Sequence, residues 1–209
     1  FVLAAHHDPS RQRPRLMPDR SHRAYTIFRT GPPNSTDKKT WWKLGAVVMS
    51  GLAYKGYKNA YNLLMHYMEN SGDDYWVDPA EMLQDLPGFR DSLGETLQKY
   101  KGKSKFDSGW VSTRASEKES MDWYYALNGF QYRVQGRQVT DGEGNKTMVA
   151  QLSVYKRYNW GNGTESVPRK PLHLGPMELT QPDIAHLHVA GMAQEYDVRG
   201  VTTFSIEGW

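Results

Sequence analysis

Hydrophobic positions divide the chain into a helix-periodic first half and an alternating second half. Between Trp41 and Glu69, the residues Trp41, Leu44, Val48, Leu52, Tyr57, Tyr61, Leu64 and Met68 recur three to five apart, the spacing of one helix face. Gly45, Gly51 and Gly56 interrupt them. Each weakens an isolated helix by about 1 kcal/mol relative to alanine but permits close approach, so the pattern predicts a buried central helix. Further on, Asp78-Pro79-Ala80-Glu81 places an N-cap acceptor, a proline at the first helical position and a carboxylate one turn in. It predicts a short helix over 79–86, stopped by Pro87-Gly88. Phe89, Leu93, Leu97 and Tyr100 then mark one face of a second helix.

Around Trp123 the period changes from helical to two. Phe130, Tyr132 and Val134 alternate with Gln131, Arg133 and Gln135; beyond a polar glycine-rich turn, Met148, Ala150, Leu152 and Val154 alternate in the same way. Two such runs predict an antiparallel hairpin with one wet face. Thr180-Gln181-Pro182-Asp183 opens a late helix carrying Ile184 and Leu187, and the stretch from Glu195 to Ile206 reads as a closing strand. The expected fold is α+β, with N-terminal helices packed on a small antiparallel sheet and one late helix. Residues 41–209 form its single domain, helical over 41–120 and sheet-rich over 121–209.

Composition narrows the chemistry. The 209 residues include no cysteine, which removes disulfides, thiolate metal sites and cysteine nucleophiles. The net charge of +3 conceals an asymmetry: residues 1–43 hold nine basic and three acidic side chains, leaving the rest slightly acidic. With Pro9, Pro14, Pro18, Pro32 and Pro33, residues 1–40 read as an extended basic arm or linker. Its charge suits an anionic lipid or another phosphate-bearing target, or serves only to keep a tether solvated. Only Tyr25 and Phe28 stand among its arginines, too few for a run of stacking platforms, so nucleic acid is not the expected partner. Leu44 to Tyr54 is uncharged but shorter than the ~20 residues that cross a bilayer as a helix.

Candidate chemistry lies in the second half. His186 and His188 are two apart on a predicted helix and cannot share an ion, so neither a metal nor another cofactor is expected. His188 remains a candidate acid or base beside the sheet. Glu195 and Asp197, two apart on a strand, project from one face as neighbouring carboxylates. The run Tyr155-Lys156-Arg157-Tyr158-Asn159-Trp160 ends a strand, where sites tend to sit. Lys156 beside Tyr158 could bind phosphate or lower the phenol pKa. Ser116 and Glu119 fit a helix capping box, and the Asn-x-Ser/Thr triplets at Asn34, Asn145 and Asn162 fall in predicted loops.

Three segments carry a resemblance: Asn70-Ser71-Gly72 leading to Val77-Asp78; Asp122-Trp123-Tyr124-Tyr125-Ala126-Leu127 with Gly129-Phe130; and Arg157-Tyr158-Asn159-Trp160 followed by Leu187-His188 and Gly191-Met192-Ala193-Gln194-Glu195-Tyr196-Asp197. Together they resemble the C-terminal domain of bacterial secreted, polymorphic-toxin-like proteins. A remoter likeness is to the lipid II-cleaving domain of colicin M-type bacteriocins. Of that family's acidic motif only Tyr158 carries over, because Lys156-Arg157-Tyr158-Asn159 lacks both acids. The resemblance implies a secreted effector, hydrolytic against a cell-envelope or phosphate-bearing target, with a cognate immunity protein or delivery partner. The residues themselves, rather than the resemblance, put forward Tyr158, His188, Glu195 and Asp197 as catalytic candidates and Lys156, Arg157 and Trp160 as binding ones. Two alternatives stand beside it: a non-enzymatic binding or assembly module using an aromatic sheet face of Trp123, Tyr125, Tyr132 and Tyr155, and a membrane-inserting toxin using residues 44–68.

Overall fold

The computed structural model describes residues 31–53, 55–161, 171–174, 177–206 and 209. Most of the basic arm (residues 1–30) and the triplet at Asn162 lie outside them. Helix α1 spans Ser35–Ala46 and opens inside the stretch read as arm, because Asn34 and Asp37 make a reciprocal capping box. Asn34 thus serves α1 as its N-cap, and Asp37 also receives a hydrogen bond from His186, at 2.8 Å. The helix widens into a π-helical segment over Val47–Leu52, where the Ala53 amide reaches back to the Val48 carbonyl. Gly56, at φ 71°, turns the chain into α2, Lys58–Met68. The predicted single central helix is therefore two, broken at a residue whose left-handed backbone no helix can continue.

No side chain of its own N-cap serves α2. The carboxylate of Asp122, sixty residues along, accepts from the Asn59 amide at 3.0 Å and the Ala60 amide at 2.7 Å instead. Two short helices follow: α3, Pro79–Asp85, N-capped by Asp78 as expected, and α4, Pro87–Gln98, which buries Phe89, Leu93 and Leu97. Asp122 belongs to α5, Met121–Ala126. The Ser116–Glu119 pair is present but closes a turn; the cap of α5 is Ser120, which accepts from the Trp123 amide.

The main sheet is mixed. It comprises β1 (Tyr75–Trp76), β2 (Lys105–Asp107), β3 (Val111–Arg114), β4 (Gly129–Thr140), β5 (Lys146–Tyr158) and, closing the chain, Tyr196–Ile206. Between the last two lie the hairpin strands β6 (Leu172–Leu174) and β7 (Met177–Leu179), so the closing strand is β8; α6 (Gln181–Val189) precedes it. The order is β1-β8-β5-β4, with β2 and β3 both paired to β4. All pairings are antiparallel except β1 with β8. Gly200 permits that parallel edge: a Cβ there would stand 2.8 Å from the Val77 carbonyl oxygen.

One face of the sheet is the core. Phe130, Tyr132 and Val134 of β4, Met148, Ala150, Leu152, Val154 and Tyr158 of β5, and Tyr196, Val198, Phe204 and Ile206 of β8 are all buried. Tyr132 accounts for all of its hydroxyl valence against α4, bonding Ser92 and Thr96. Tyr196 donates to the Leu63 carbonyl of α2. Helices α2 and α4 therefore cover this face. The proposed aromatic sheet face does not exist as one surface, since Trp123 and Tyr125 sit on α5 and Tyr132 points into the core. Among the described residues no helix is long and apolar enough to cross a membrane.

Candidate functional site

The opposite face of the sheet is polar and carries a connected network of charges. Register places Arg157 of β5 against Asp197 of β8 and Tyr155 against Arg199. Arg157 Nη1 lies 3.1 Å from Asp197 Oδ1, and its Nε lies 3.7 Å from Glu195 Oε2. Arg199 continues the chain, reaching Asp197 at 2.8 Å and Asp74 at 2.7 Å. The Tyr155 hydroxyl donates to Asp197, and the Arg199 guanidinium stands over its ring. Burial and the adjacent carboxylate push the Tyr155 phenol up to about 12, so it stays a neutral donor at physiological pH.

The carboxylate pair read from the sequence is thus real, but a guanidinium lies against both members. Glu195 is 2% exposed, just before β8 begins. Its amide donates to His188 Nδ1 at 3.2 Å, which makes that nitrogen an acceptor and ties the end of α6 to β8. His188 is 4% exposed and Tyr158 is 1% exposed, stacked on Tyr196 at 4.8 Å. Trp160 packs edge-on against Tyr158. Burial raises the Tyr67 phenol well above its usual range, with the Glu195 carboxylate and Tyr158 adding to the shift. Tyr158, His188, Glu195 and Trp160 are therefore all buried side chains. His186 stands on the other side of α6 and meets Asp37. Among the described residues no group of His, Asp and Glu is placed to hold a metal ion.

Access exists one step away. A cleft of about 230 Å³ opens at the end of the sheet, lined by Ser112, Thr113, Gly129, Phe130, Gln131, Tyr155, Lys156, Arg157 and Asn159. By strand alternation Ser112, Gln131, Tyr155 and Arg157 share its open face. Gly129 is the floor: a Cβ there would meet only the Thr113 carbonyl oxygen, at 3.8 Å. The exposed Arg114 of β3 is the register partner of Gly129 and shares that face. The described lining holds two cations, hydroxyls and amides, and neither a carboxylate nor an imidazole. Arg157 joins the buried network to this cleft, its guanidinium oriented by Glu195 and Asp197. The sequence reading named Arg157 and Lys156 but missed Ser112, Gln131 and Gly129, which only strand register brings beside them.

Further along the same face, Asp107 of β2 receives hydrogen bonds from Arg133, Gln135 and the Gly109 amide. Arg133 chiefly holds its carboxyl down to about 2. A depressed folded-state value means that its stabilisation is present above about pH 4 and is lost as pH falls through about 2. The side chain is 39% exposed, so solvent screening reduces its worth to about 1 kcal/mol or less. Asp107→Asn is expected to flatten the acid limb of urea-denaturation stability over that interval. An acid limb as steep as that of the wild type would show that other carboxylates govern it.

Comparison with protein-family models, with curated proteins and with solved structures returns no match to this chain.

Proposed function

We propose that the chain is a toxin-like effector domain, delivered outside the producing cell, that recognises a phosphate-bearing target through the open-face cleft. The observation that carries this reading is Arg157, hydrogen-bonded to Asp197 and 3.7 Å from Glu195, at the wall of a cleft whose described lining has cations but no anion. Preorganised guanidinium groups suit phosphate oxygens because their donors form a rigid fork. No hydrogen bond among the described residues engages Arg157 Nη2, which is available to a ligand. Ser112 and Gln131 supply further donors on the same face, and the absent side chain at Gly129 leaves room for a group of phosphate size. A cleft of about 230 Å³ fits one such group better than a whole nucleotide.

This reading favours recognition over hydrolysis. Glu195 and Asp197 act as positioning groups for Arg157, and His188 and Tyr158 as interior packing. The cell-envelope target, the immunity protein and the delivery partner belong to the same proposal and rest on the resemblance alone.

Gly129→Val is the decisive variant. Valine suits a strand, and open space surrounds the new side chain, so the fold should tolerate it. Titration calorimetry of the full chain with inorganic phosphate and pyrophosphate is expected to show binding weakened roughly tenfold or more. The melting temperature should move little. Wild-type protein that binds neither anion, or Gly129→Val protein that binds as well as wild type, overturns the proposal. Expression in bacterial cytoplasm and in periplasm tests the effector half: toxicity in one compartment, lost with Gly129→Val, supports it, and growth unaffected in both counts against it.

A further inference from the structure

Trp42, 73% exposed, and Met49, 62% exposed, are two of the three large hydrophobic side chains left exposed among the described residues, and they share one patch. With Met65 and Met68 of α2 they line an apolar groove of about 580 Å³ between α1 and α2. Lone exposed apolar residues are ordinary, but a contiguous patch marks a surface made to be covered. Lys38 and Lys39 are exposed and stand four and three residues before Trp42, which puts all three on the same helix face. Glu69, at the far end of the groove, already pairs with His66.

We infer that this patch docks on an anionic membrane surface, with Trp42 and Met49 entering the headgroup region and the lysines meeting lipid phosphates. Charge complementarity selects this occupant. Lys38, Lys39 and Trp42 belong to the most basic part of the chain, residues 1–43, with nine basic and three acidic side chains. Stable attachment to a membrane surface takes two signals, and an apolar wedge beside a polybasic segment supplies both. Tryptophan favours the membrane interface, where its ring is apolar and its N–H can stay hydrated. A second copy is a poorer occupant, because pairing like faces would bring the same lysines toward each other. Helix α1 has 12 residues, so it lies on the surface rather than crossing it. The inference does not rest on the cleft at Arg157.

The test is co-sedimentation of the full chain with vesicles of equal parts phosphatidylglycerol and phosphatidylcholine, against pure phosphatidylcholine. Preferential binding to the anionic vesicles is expected. Lys38→Glu with Lys39→Glu should weaken it roughly twentyfold or more, and Trp42→Gln with Met49→Gln roughly tenfold. Gly129→Val should leave it unchanged, which separates this inference from the cleft. Because the chain has no cysteine, Met49→Cys can carry an environment-sensitive dye. Its emission should shift to the blue on the anionic vesicles, while a dye on Glu143→Cys, in the exposed β4–β5 turn, should not respond. Equal binding to neutral vesicles, variants that bind as the wild type does, or a dye at position 49 that stays in water would each overturn the inference. So would lipid-free dimerisation that Trp42→Gln with Met49→Gln abolishes, since a second copy would then cover the patch.

Discussion

Alanine at position 157 is expected to lower the unfolding free energy by about 3 kcal/mol, a loss far larger than a surface arginine would give. Glu195 is buried, and Arg157 is the guanidinium that stands against its carboxylate. Removing one partner of a buried pair leaves the other charge in a medium that solvates it poorly. The value falls at the low end of the usual range because Arg157 is partly exposed and its contact with Glu195 is 3.7 Å. Asp197 is cushioned, since Arg199 still holds it at 2.8 Å. Lysine should restore only part of the loss, because a point charge cannot serve two carboxylates as a planar fork does. Adding Glu195→Gln to Arg157→Ala should recover a good part of the stability, a coupling of about 1–2 kcal/mol in a double-mutant cycle. Urea denaturation reads the wild type, the alanine and lysine variants at 157, Glu195→Gln and the double variant. A loss below about 1 kcal/mol, or strictly additive single changes, would mean that the pair does not anchor this end of the sheet.

The network also shows what a sequence can and cannot disclose. Glu195 and Asp197 were legible as a pair because strand alternation alone puts residues two apart on one face. Their partner was not, since Arg157 meets Asp197 only through the β5–β8 register, forty residues apart in the chain. The same limit hid the cleft, whose floor is a glycine with no local signature and whose walls come from three strands. Burial was hidden too. His188 and Tyr158 carry polar atoms that suit a surface, and only the folded chain shows that both are buried.

Elements with local signals were read well. The long strands announce themselves at Phe130-Tyr132-Val134 and Met148-Ala150-Leu152-Val154, and Asp78-Pro79 and Thr180-Pro182-Asp183 start their helices as expected. The short edges β1, β2 and β3 gave no such signal, because two to four residues are too few to establish a period. At the start of α1 the capping box of Asn34 and Asp37 overlaps the triplet Asn34-Ser35-Thr36, which was read only as lying in a loop. The helix breaks at Gly56, whose left-handed backbone was not legible from its identity alone, and the cap that restarts it comes from Asp122, which no local window contains.

That remote cap makes α5 a clasp, and Trp123 is its largest buried part. Alanine at position 123 is expected to cost about 3–5 kcal/mol, the largest single loss in the molecule. The indole is 1% exposed, and its Nε1 donates to Asp85 Oδ2 of α3 at 2.9 Å. Truncation would open a cavity, remove that hydrogen bond and loosen the backbone that aims Asp122 at the first turn of α2. The damage should therefore spread to α2. Hydrogen exchange at the Asn59 and Ala60 amides, which donate to Asp122, should accelerate in Trp123→Ala beyond what global destabilisation explains. Trp123→Phe keeps most of the volume and loses only the hydrogen bond, so about 1–2 kcal/mol is expected, with the α2 amides still protected. Asp122→Asn is the complementary variant: it spares the core and weakens the cap, by about 1 kcal/mol, with exchange rising at the same two amides. If Trp123→Ala costs less than about 1.5 kcal/mol, or if its two amides exchange no faster than the global unfolding rate predicts, α5 is a passive connection and α2 is held by its own packing on Tyr196 and Tyr158.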